Sequence, residues 1–246
     1  MAKRVAVLAL LTLAMVGLGG GGARAEQPGE RSYRYQLTAL GARAGEAVLQ
    51  VGLPEMVGKT ALRALRLDAR TDGLAASFLN VESLSTTWVD SEWLPVRSRW
   101  DMVVDGTKRV VKGTFAGRAV TGTDERDGKL FEKNEVRAND PPLDLVSMFG
   151  WLMNQDLSPG TKYVVPVFDG RRLYMVALSV GVAKEIQVPV GFRRGIPVKA
   201  VVTREGYRRE VELWLSADKD RAPLRMVVKY GGLGTVEAEL IAEKKV

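Results

Sequence analysis

Several stretches of the chain alternate between apolar and polar residues, and this period of two is the feature that most limits the possible folds. In residues 33–39, Tyr33, Tyr35, Leu37 and Ala39 are apolar and the residues between them are polar. Successive side chains of a β-strand point to opposite faces, so the pattern predicts a strand with one buried face. The same alternation recurs in residues 65–69, 96–102, 224–230 and 236–240.

Short turn signals separate these predicted strands. A glycine, which tolerates a positive φ, follows an acidic residue or another glycine where the chain must reverse. The pairs are Asp72-Gly73, Asp105-Gly106, Asp127-Gly128, Asp169-Gly170, Glu205-Gly206 and Gly231-Gly232. Strands joined by short turns pair with their neighbours in antiparallel fashion. We therefore expect an all-β, mainly antiparallel domain of about eleven strands.

One segment follows a helical period instead. Between residues 143 and 155 the apolar residues that recur at helical spacing are Leu145, Val146, Phe149, Leu152 and Met153. Pro141-Pro142 precedes this segment and Pro159-Gly160 follows it, as expected at the two ends of a helix. The sequence predicts the main helix over residues 143–155 and a second, shorter helix over residues 74–79.

The expected strand number raises the question of what fills the interior. A closed eight-stranded barrel holds only its own side chains or one small ligand, and the diameter grows with strand number. A sheet of about eleven strands must flatten into a sandwich, stay half-open or enclose something. We expect a curved or half-open barrel, with the main helix packed against it or plugging it, and an apolar cavity wherever the helix leaves space.

The first 25 residues have the layout of a cleavable secretory signal. Lys3 and Arg4 precede an apolar run over residues 5–18, and Ala23 and Ala25 provide the small residues of a cleavage site. The run has about 14 residues, fewer than the roughly 20 of a membrane-spanning helix. A lipoprotein requires a cysteine at its processing site, and the chain has none. We expect residues 26–246 to be one domain in the periplasm, with neither a lipid nor a transmembrane anchor.

Composition excludes several kinds of chemistry. The chain has no cysteine and no histidine, so disulfides, Ser-His-Asp and Cys-His nucleophile pairs and histidine-ligated zinc are all excluded. Cleavage after Ala25 removes Lys3, Arg4 and Arg24 and no acid, so the formal net charge falls from +7 by three, to +4. This mild basicity favours a solvated surface or weak contact with anionic lipids or polysaccharides over nucleic-acid binding. We expect no cofactor.

Aromatic and aliphatic side chains provide candidate ligand contacts. The residues predicted to line a cavity are Trp88, Trp100, Phe149, Leu152 and Trp214. Trp88 and Trp100 are each predicted to lie on the same face of their strand as its other apolar residues. This position fits either a cavity wall or an ordinary core. No catalytic or metal-binding residue is predicted, because most of the acids lie in turns, where aspartates bind their own backbone.

Basic residues are concentrated around one predicted hairpin. They are Arg193, Arg194, Lys199, Arg204, Arg208 and Arg209. They form either a site for an anionic headgroup or a solvated face that protects strand edges from pairing with other chains.

Several short motifs complete the pattern. Those of the carboxyl-terminal half are Asp144-x-x-Ser147, Leu157-x-x-Gly160, Val188-Pro189-Val190-Gly191, Leu213-Trp214-Leu215-Ser216-x-Asp218-x-x-Arg221-x-Pro223 and Gly234-x-Val236. Those of the amino-terminal half are Tyr33-x-Tyr35, Gly45 and Asp90-x-x-x-Leu94-Pro95. Together they resemble an uncharacterised family of exported bacterial proteins, domain of unknown function 3108.

This resemblance implies an exported, curved or barrel-like β domain with no settled activity. It is loosely similar to the periplasmic lipoprotein carriers, which hold acyl chains inside an unclosed β-barrel. The helix of the family usually continues toward an arginine-bearing segment, whereas this chain has Trp151-Leu152-Met153-Asn154.

The motif residues also have structural interpretations. Asp144 fits a helix cap, and Ser147 belongs to the same motif. Asp218 and Arg221 flank a tight connection, where they can pair with each other or hold the turn through backbone hydrogen bonds. Pro223 then fixes the entry into the next strand.

Three functional hypotheses follow. The first is a non-catalytic periplasmic protein that binds or carries an amphiphilic envelope component, or assists envelope assembly, and its carrier form requires an apolar cavity above roughly 300 Å³. The second is an interaction or scaffold protein that docks a protein partner through a sheet edge or the basic hairpin. The third is a carboxylate-dependent enzyme acting on polysaccharide, which requires two acids facing one cleft.

Overall fold

The computed structural model describes residues 31–229 and 234–245. The predicted signal peptide and the Gly231-Gly232 turn lie outside the described residues. The strands are β1 (Arg31–Ala39), β2 (Ala42–Val57), β3 (Thr60–Thr71), β4 (Val81–Val89), β5 (Pro95–Val104), β6 (Thr107–Ala116), β7 (Ala119–Arg126), β8 (Lys129–Arg137), β9 (Leu143–Asp144), β10 (Lys162–Phe168), β11 (Leu173–Val180), β12 (Lys184–Val188), β13 (Gly191–Arg204), β14 (Tyr207–Ser216), β15 (Pro223–Lys229) and β16 (Thr235–Lys245). The helices are α1 (Gly73–Phe78) and α2 (Leu145–Met153).

All of the described strands belong to one sheet. Its order is β8-β7-β6-β5-β4-β3-β2-β1-β16-β15-β14-β13-β11-β10-β9, and β12 pairs with β13 beside this path. The described pairings are antiparallel except the two-residue contact between β9 and β10. The predicted all-β, mainly antiparallel class is therefore confirmed.

The expected number of about eleven strands is wrong, since the described residues form a sheet of 16 strands. The surplus includes strands without one clearly buried face. β8 has no buried residue, β9 has only two residues, and in β12 only Val188 is buried. Such strands are stabilised by hydrogen bonds to a neighbouring strand and by the surrounding structure. The alternation of apolar and polar residues alone therefore does not predict them.

The alternating residues of the other strands form the interior. Tyr33, Tyr35 and Leu37 of β1 are buried and belong to the main hydrophobic core, together with residues as far along the described chain as Leu240 of β16. Residues from β4, β5, β6, β11, β13 and β14 border one common interior space. The sheet therefore curves around this space in the manner of a barrel.

Side chains, not a backbone ladder, bridge the gap in the curved sheet. Among the described residues no ladder joins the two ends of the strand order, β8 and β9. The rings of Phe115 and Phe168 meet edge to face with centroids 6.2 Å apart, and the Asn134 Nδ2 group donates a hydrogen bond to the carbonyl oxygen of Arg171. Arg171 also forms ion pairs with Glu132 and Asp124. We call this contact the seam; its residues are Phe115, Asp124, Glu132, Asn134, Phe168 and Arg171.

Helix α2 lies inside the curve of the sheet. It packs on β3, β4, β9 and β10, and a Cβ placed on Gly150 would lie only 2.7 Å from Leu65 and 2.8 Å from Trp93. The predicted helix over 143–155 is thus observed with shorter bounds, because Leu143 and Asp144 form β9. The predicted helix over 74–79 corresponds to α1. Neither helix of the described chain is long and apolar enough to span a membrane.

The turn between β14 and β15 is held by backbone hydrogen bonds. The Asp218 carboxylate accepts hydrogen bonds from the Ser216 hydroxyl and from the Asp220 amide, both at 2.9 Å. The Arg221 amide donates to the Asp218 carbonyl at 3.3 Å, with a positive φ of 52° at Arg221. Of the two roles expected for Asp218 and Arg221, the structure shows the turn-holding one. Pro223 begins β15, and its carbonyl accepts a hydrogen bond from the Tyr35 hydroxyl.

Candidate functional site

An interior cavity of about 240 Å³ lies between α2 and the surrounding strands. The residues that line it are Ser85, Ser98, Trp100, Val111, Asp144, Leu145, Val146, Met148, Phe149, Val167, Phe168, Asp169, Gly170, Tyr174, Val176, Ala200, Val202, Tyr207, Val211, Leu213 and Met226. Most are apolar. The volume is below the roughly 300 Å³ required for the carrier hypothesis, so room for a whole lipid is not present.

Two hydroxyls on the inward side of β4 are hydrogen-bonded within the protein. The buried residues on this side are Val81, Ser83, Ser85, Thr87 and Val89, and of these Ser85 lines the cavity. The Trp100 indole N–H donates a 2.7 Å hydrogen bond to the Ser83 hydroxyl, so its ring can contribute apolar surface to the cavity. The Thr87 hydroxyl donates to the Asp144 carboxylate at 2.5 Å.

Asp144 caps helix α2 where the helix meets the cavity. Its carboxylate accepts hydrogen bonds from the amides of Val146 and Ser147, and the Ser147 hydroxyl accepts one from the Asp144 amide. The sequence interpretation of Asp144 as a helix cap, within a motif shared with Ser147, is confirmed by this capping box. Burial raises the pKa of Asp144, and the hydrogen bonds from Thr87, Ser147 and Val146 oppose this increase.

Asp169 is the second carboxylate of the lining. It accepts hydrogen bonds from the backbone amides of Arg171 and Arg172, at 2.8 and 2.7 Å. Both lining carboxylates are thus bound to backbone N–H groups at a helix start and in a turn, the structural roles that aspartates commonly have. In the described part of the chain, no cluster of acidic residues is arranged to hold a metal ion.

A smaller cavity of about 50 Å³ adjoins the main one. Leu145, Phe149 and Met226 line both cavities. These three side chains therefore form a partition made of flexible or rotatable groups. Methionine in particular adapts its three torsions to irregular spaces at small cost.

At one end of the barrel the cavity reaches the turns of the sheet. Tyr207 is the first residue of β14, and Tyr174 lies near the start of β11; their rings meet edge to face at 5.5 Å. The Arg204 guanidinium carbon lies 5.4 Å from the Tyr174 ring centroid, and that of Arg209 lies 5.2 Å from the Tyr207 ring. Burial and the neighbouring Asp169 raise the pKa of Tyr174, while Arg204 lowers it. We call Tyr174, Arg204, Tyr207 and Arg209 the rim.

The predicted basic cluster is divided by the fold. Arg204, Arg208 and Arg209 flank the β13–β14 turn, whereas Arg193 and Arg194 lie near the opposite end of β13, where they pair with β12. Lys199 is exposed in the middle of β13. A six-residue basic patch is therefore not formed, but two of its members reach the rim.

Two of the five predicted cavity residues line the cavity. Trp100 and Phe149 do, as the sequence predicted. Trp88 is absent from the lining: it lies on the other face of β4, where the Arg97 guanidinium stacks on its ring at 4.3 Å. The inward face of β4 carries hydroxyl-bearing side chains. The face of β4 that includes Trp88, which the sequence pattern predicted to face the interior, therefore faces outward. Leu152 and Trp214 are buried in the main core but are not among the residues that line the cavity.

Sequence reasoning missed Leu145, Tyr174, Tyr207 and Met226 as cavity residues. A signal for Tyr174 was present, because Tyr174, Val176, Leu178 and Val180 alternate along β11. Tyr207 likewise lies an even number of residues before Val211 and Leu213 of β14, and so on the same face of that strand. Parity places such residues on the inward face, but it does not distinguish a core position from a cavity wall.

Comparisons with known proteins define a family and a fold. A family model described as a protein of unknown function, DUF3108, matches residues 33–241. No curated protein sequence matches the chain. A crystal structure of a beta-barrel-like protein of domain of unknown function DUF1849 from Brucella abortus is similar, with a TM-score of 0.62 and 13% identity over 90% of this chain and 99% of that chain.

Two further solved structures are more distant. One is a candidate exported protein with a YmcC-like fold from Bacteroides fragilis, with a TM-score of 0.36 and 9% identity over 89% of this chain and 97% of that chain. The other is a candidate lipoprotein from Parabacteroides distasonis, with a TM-score of 0.37 and 10% identity over 89% and 96% of the respective chains. These TM-scores are too low to establish a shared fold.

Proposed function

The chain belongs to DUF3108, a family of proteins of unknown function, and from its geometry we propose a non-catalytic periplasmic protein that binds one apolar chain of an amphiphile between helix α2 and the sheet. The layout of residues 1–25 supports export with signal cleavage, and the lack of cysteine supports a protein without a lipid anchor. The bound amphiphile is an envelope component.

The single observation that carries this proposal is the apolar cavity beside α2. A site that binds an apolar group is concave, mostly apolar and equipped with few polar groups, and the cavity of about 240 Å³ fits this description. Its size restricts the occupant to a short chain, or to the end of a longer chain. Displacement of Phe149 and Met226 would join the second cavity to the first and lengthen the site.

The test fills the cavity from one of its walls. Ala200 is buried in the lining, and Ala200→Phe adds a ring to that space. Val201→Phe is the matched control, because it adds a larger side chain at the next position of β13, on the opposite face of the sheet. Calorimetric titration of the exported chain with 1-decanol measures binding to each variant.

We expect the unmodified protein and Val201→Phe to bind decanol, and Ala200→Phe to bind at least about tenfold more weakly, since tenfold corresponds to about 1.4 kcal/mol. Lipid extraction of protein purified from periplasm should also yield an amphiphile that is missing from Ala200→Phe. Equal affinity of Ala200→Phe and Val201→Phe, or no binding by any variant, contradicts the proposal.

A second candidate, a scaffold that docks a protein partner, is favoured by the free end of the β2–β3 hairpin. β1 pairs with β2 only as far as Val51, and β4 pairs with β3 only from Arg63, so residues 53–61 pair within the hairpin alone. Residues 53–61 are exposed throughout and include Leu53, Met56 and Val57. Native mass spectrometry would support docking if a stoichiometric partner is lost in Met56→Ser while decanol binding is unchanged.

A further inference from the structure

Strand β8 ends the sheet and has one open hydrogen-bonding edge. In the described chain it pairs with β7 alone. None of its residues is buried, and Leu130 and Phe131 are 62% and 56% exposed. Its contacts at the seam are made by the side chains of Glu132 and Asn134, so within the described residues no strand lies along its free edge. Such an edge is a template for another strand.

The outward face of β8 carries two opposite charges. Lys133 and Glu135 are exposed and stand opposite Thr123 and Thr121 of β7. Because the residues that alternate with these threonines are buried, Lys133 and Glu135 point outward. Neither charge forms an ion pair within the described part of the chain. A lysine in an edge strand ordinarily repels other chains, but here a glutamate two residues later supplies the opposite charge.

This pattern is complementary to a second copy of the same strand. When two β8 strands pair antiparallel about a two-fold axis at Asn134, Lys133 of each copy stands opposite Glu135 of the other. The uncharged Asn134 stands opposite itself, and Glu132 stands opposite Val136. Opposite charges that face each other across two strands stabilise the pair, and this register contains two such pairs and no like-charge pair in residues 132–136.

Other registers are less favourable. An axis at Lys133 or at Glu135 places that charge opposite its own copy, and like charges directly opposite are destabilising. An axis between two residues brings inward and outward side chains onto one face. An axis at Val136 pairs only residues 135–137 of β8. The charges therefore select the axis at Asn134.

We propose that two copies of this chain form a symmetric dimer through antiparallel pairing of their β8 strands, with Lys133 of each copy bound to Glu135 of the other. The interface is isologous, because the same patch is used twice, and it joins two sheets of 16 strands into one. One strand pair is a small interface, so the dimer is weak and its population depends on concentration. The cavity has no part in it, so this inference and the proposed function are tested separately.

The experiment is sedimentation velocity of the exported chain over a series of concentrations up to about 1 mM, where even a binding free energy of about −4 kcal/mol gives a measurable dimer. The variants are Lys133→Glu, Glu135→Lys and the exchange Lys133→Glu/Glu135→Lys. Lys108→Glu is the matched control, because it makes the same charge change at an exposed position of β6, which has paired strands on both sides. Circular dichroism and melting temperature verify that each variant folds.

We expect each single variant to dimerise at least about tenfold more weakly than the unmodified protein, since like charges then face each other twice. The exchange variant and the control should dimerise as the unmodified protein does. An equimolar mixture of Lys133→Glu and Glu135→Lys should form a heterodimer, because two glutamates of one chain then face two lysines of the other. The formal charge of +4 becomes +2 or +6 in the single variants, so attraction between oppositely charged proteins does not explain this result.

Three outcomes would overturn the proposal. A monomer at every concentration shows that β8 does not pair with its own copy, and leaves its edge to solvent or to a strand of another protein. A dimer that all variants retain places the contact elsewhere, such as the exposed residues 53–61. A dimer that is weakened by the single variants, but restored neither by the exchange nor by the mixture, rules out the pairing of Lys133 with Glu135.

Discussion

Asp144 is a buried carboxylate whose hydrogen bonds only partly offset the loss of water. Its partners are two backbone amides of α2 and the Thr87 hydroxyl, and its pKa is nevertheless raised, chiefly by burial. The residue spacing Asp144-x-x-Ser147 was enough to predict the cap. Thr87 was not predictable as a partner, because it lies 57 residues away and local patterns do not report contacts across the sheet.

The raised pKa of Asp144 makes stability depend on pH in a definite direction. The unfolded chain releases this proton near the ordinary aspartate pKa of 3.8, whereas the raised pKa of the folded chain holds the proton to higher pH. The folded state therefore binds more protons in that window, and the free energy of unfolding falls as pH rises through it. Asp144→Asn keeps a good capping side chain and removes the titration.

We expect urea unfolding at a series of pH values from about 3 to about 8 to show that the unmodified protein loses stability relative to Asp144→Asn as pH rises. Asp144→Ala, which removes the cap altogether, should be less stable than Asp144→Asn by about 1 kcal/mol. A constant difference between the unmodified protein and Asp144→Asn, or one of opposite slope, contradicts this account.

At the scale of elements, hydrophobic alternation predicted strands well wherever the core is purely apolar. In β1 the inward residues Tyr33, Tyr35 and Leu37 all follow the pattern. In β4 the pattern indicates the wrong face, because the inward hydroxyls of Ser83 and Thr87 bind the Trp100 indole and Asp144. Hydroxyls that bind distant partners thus occupy inward positions of β4 where the alternation of apolar and polar residues predicts apolar side chains. For this reason the predicted position of Trp88 in the cavity wall is wrong.

The seam was not predictable from the sequence, because it depends on which strands end the sheet. Its most buried charge is Asp124, whose side chain is 0% exposed and bonds to both Nε and an Nη group of Arg109, at 2.8 and 3.1 Å. Arg126 and Arg171 lie 3.4 and 3.7 Å from the same carboxylate. One carboxylate of β7 thus contacts the guanidinium groups of Arg109 and Arg126, on the paired strands β6 and β7, and that of Arg171 across the gap between the ends of the sheet.

Removal of this carboxylate should destabilise the seam strongly. Asp124→Ala leaves three arginines without their shared anion, and loss of one member of a buried charge network typically costs about 3–5 kcal/mol. Glu210→Ala is the control, since it breaks the exposed pair with Arg208, which is worth about 0–1 kcal/mol. Urea unfolding of both variants measures the difference. A similar small loss in both would show that the seam contributes little to stability.

At the scale of the whole molecule, the first and last strands of the described chain are neighbours in the middle of the sheet. β1 pairs with β16 over nearly its full length, and this ladder joins β2–β8 to β9–β15. The Tyr35 hydroxyl reaches further, to the carbonyl of Pro223 in β15. Sequence patterns predicted the strands on both sides but not this pairing, since alternation shows which face of a strand is buried and not which strand lies beside it.

The pairing of β1 with β16 decides whether the predicted single domain unfolds as one cooperative unit. Leu240 of β16 is 0% exposed and stands opposite Tyr35, so Leu240→Ala should lower the free energy of unfolding by about 2–5 kcal/mol. Val164→Ala is the control, because Val164 is 61% exposed. Native-state hydrogen exchange then compares amides of β5 and β14, which lie on opposite sides of the β1–β16 ladder.

If the sheet is one cooperative unit, protection in β5 and β14 falls by the same free energy in Leu240→Ala, although β5 is four strands removed from β1. If the two sides were separate units, β14 would lose protection and β5 would keep it, because β16 lies next to β15 and β14 in the strand order. Equal loss is the outcome we expect, since α2 and the cavity contact strands from both sides and a break in either side removes the surfaces that the other buries.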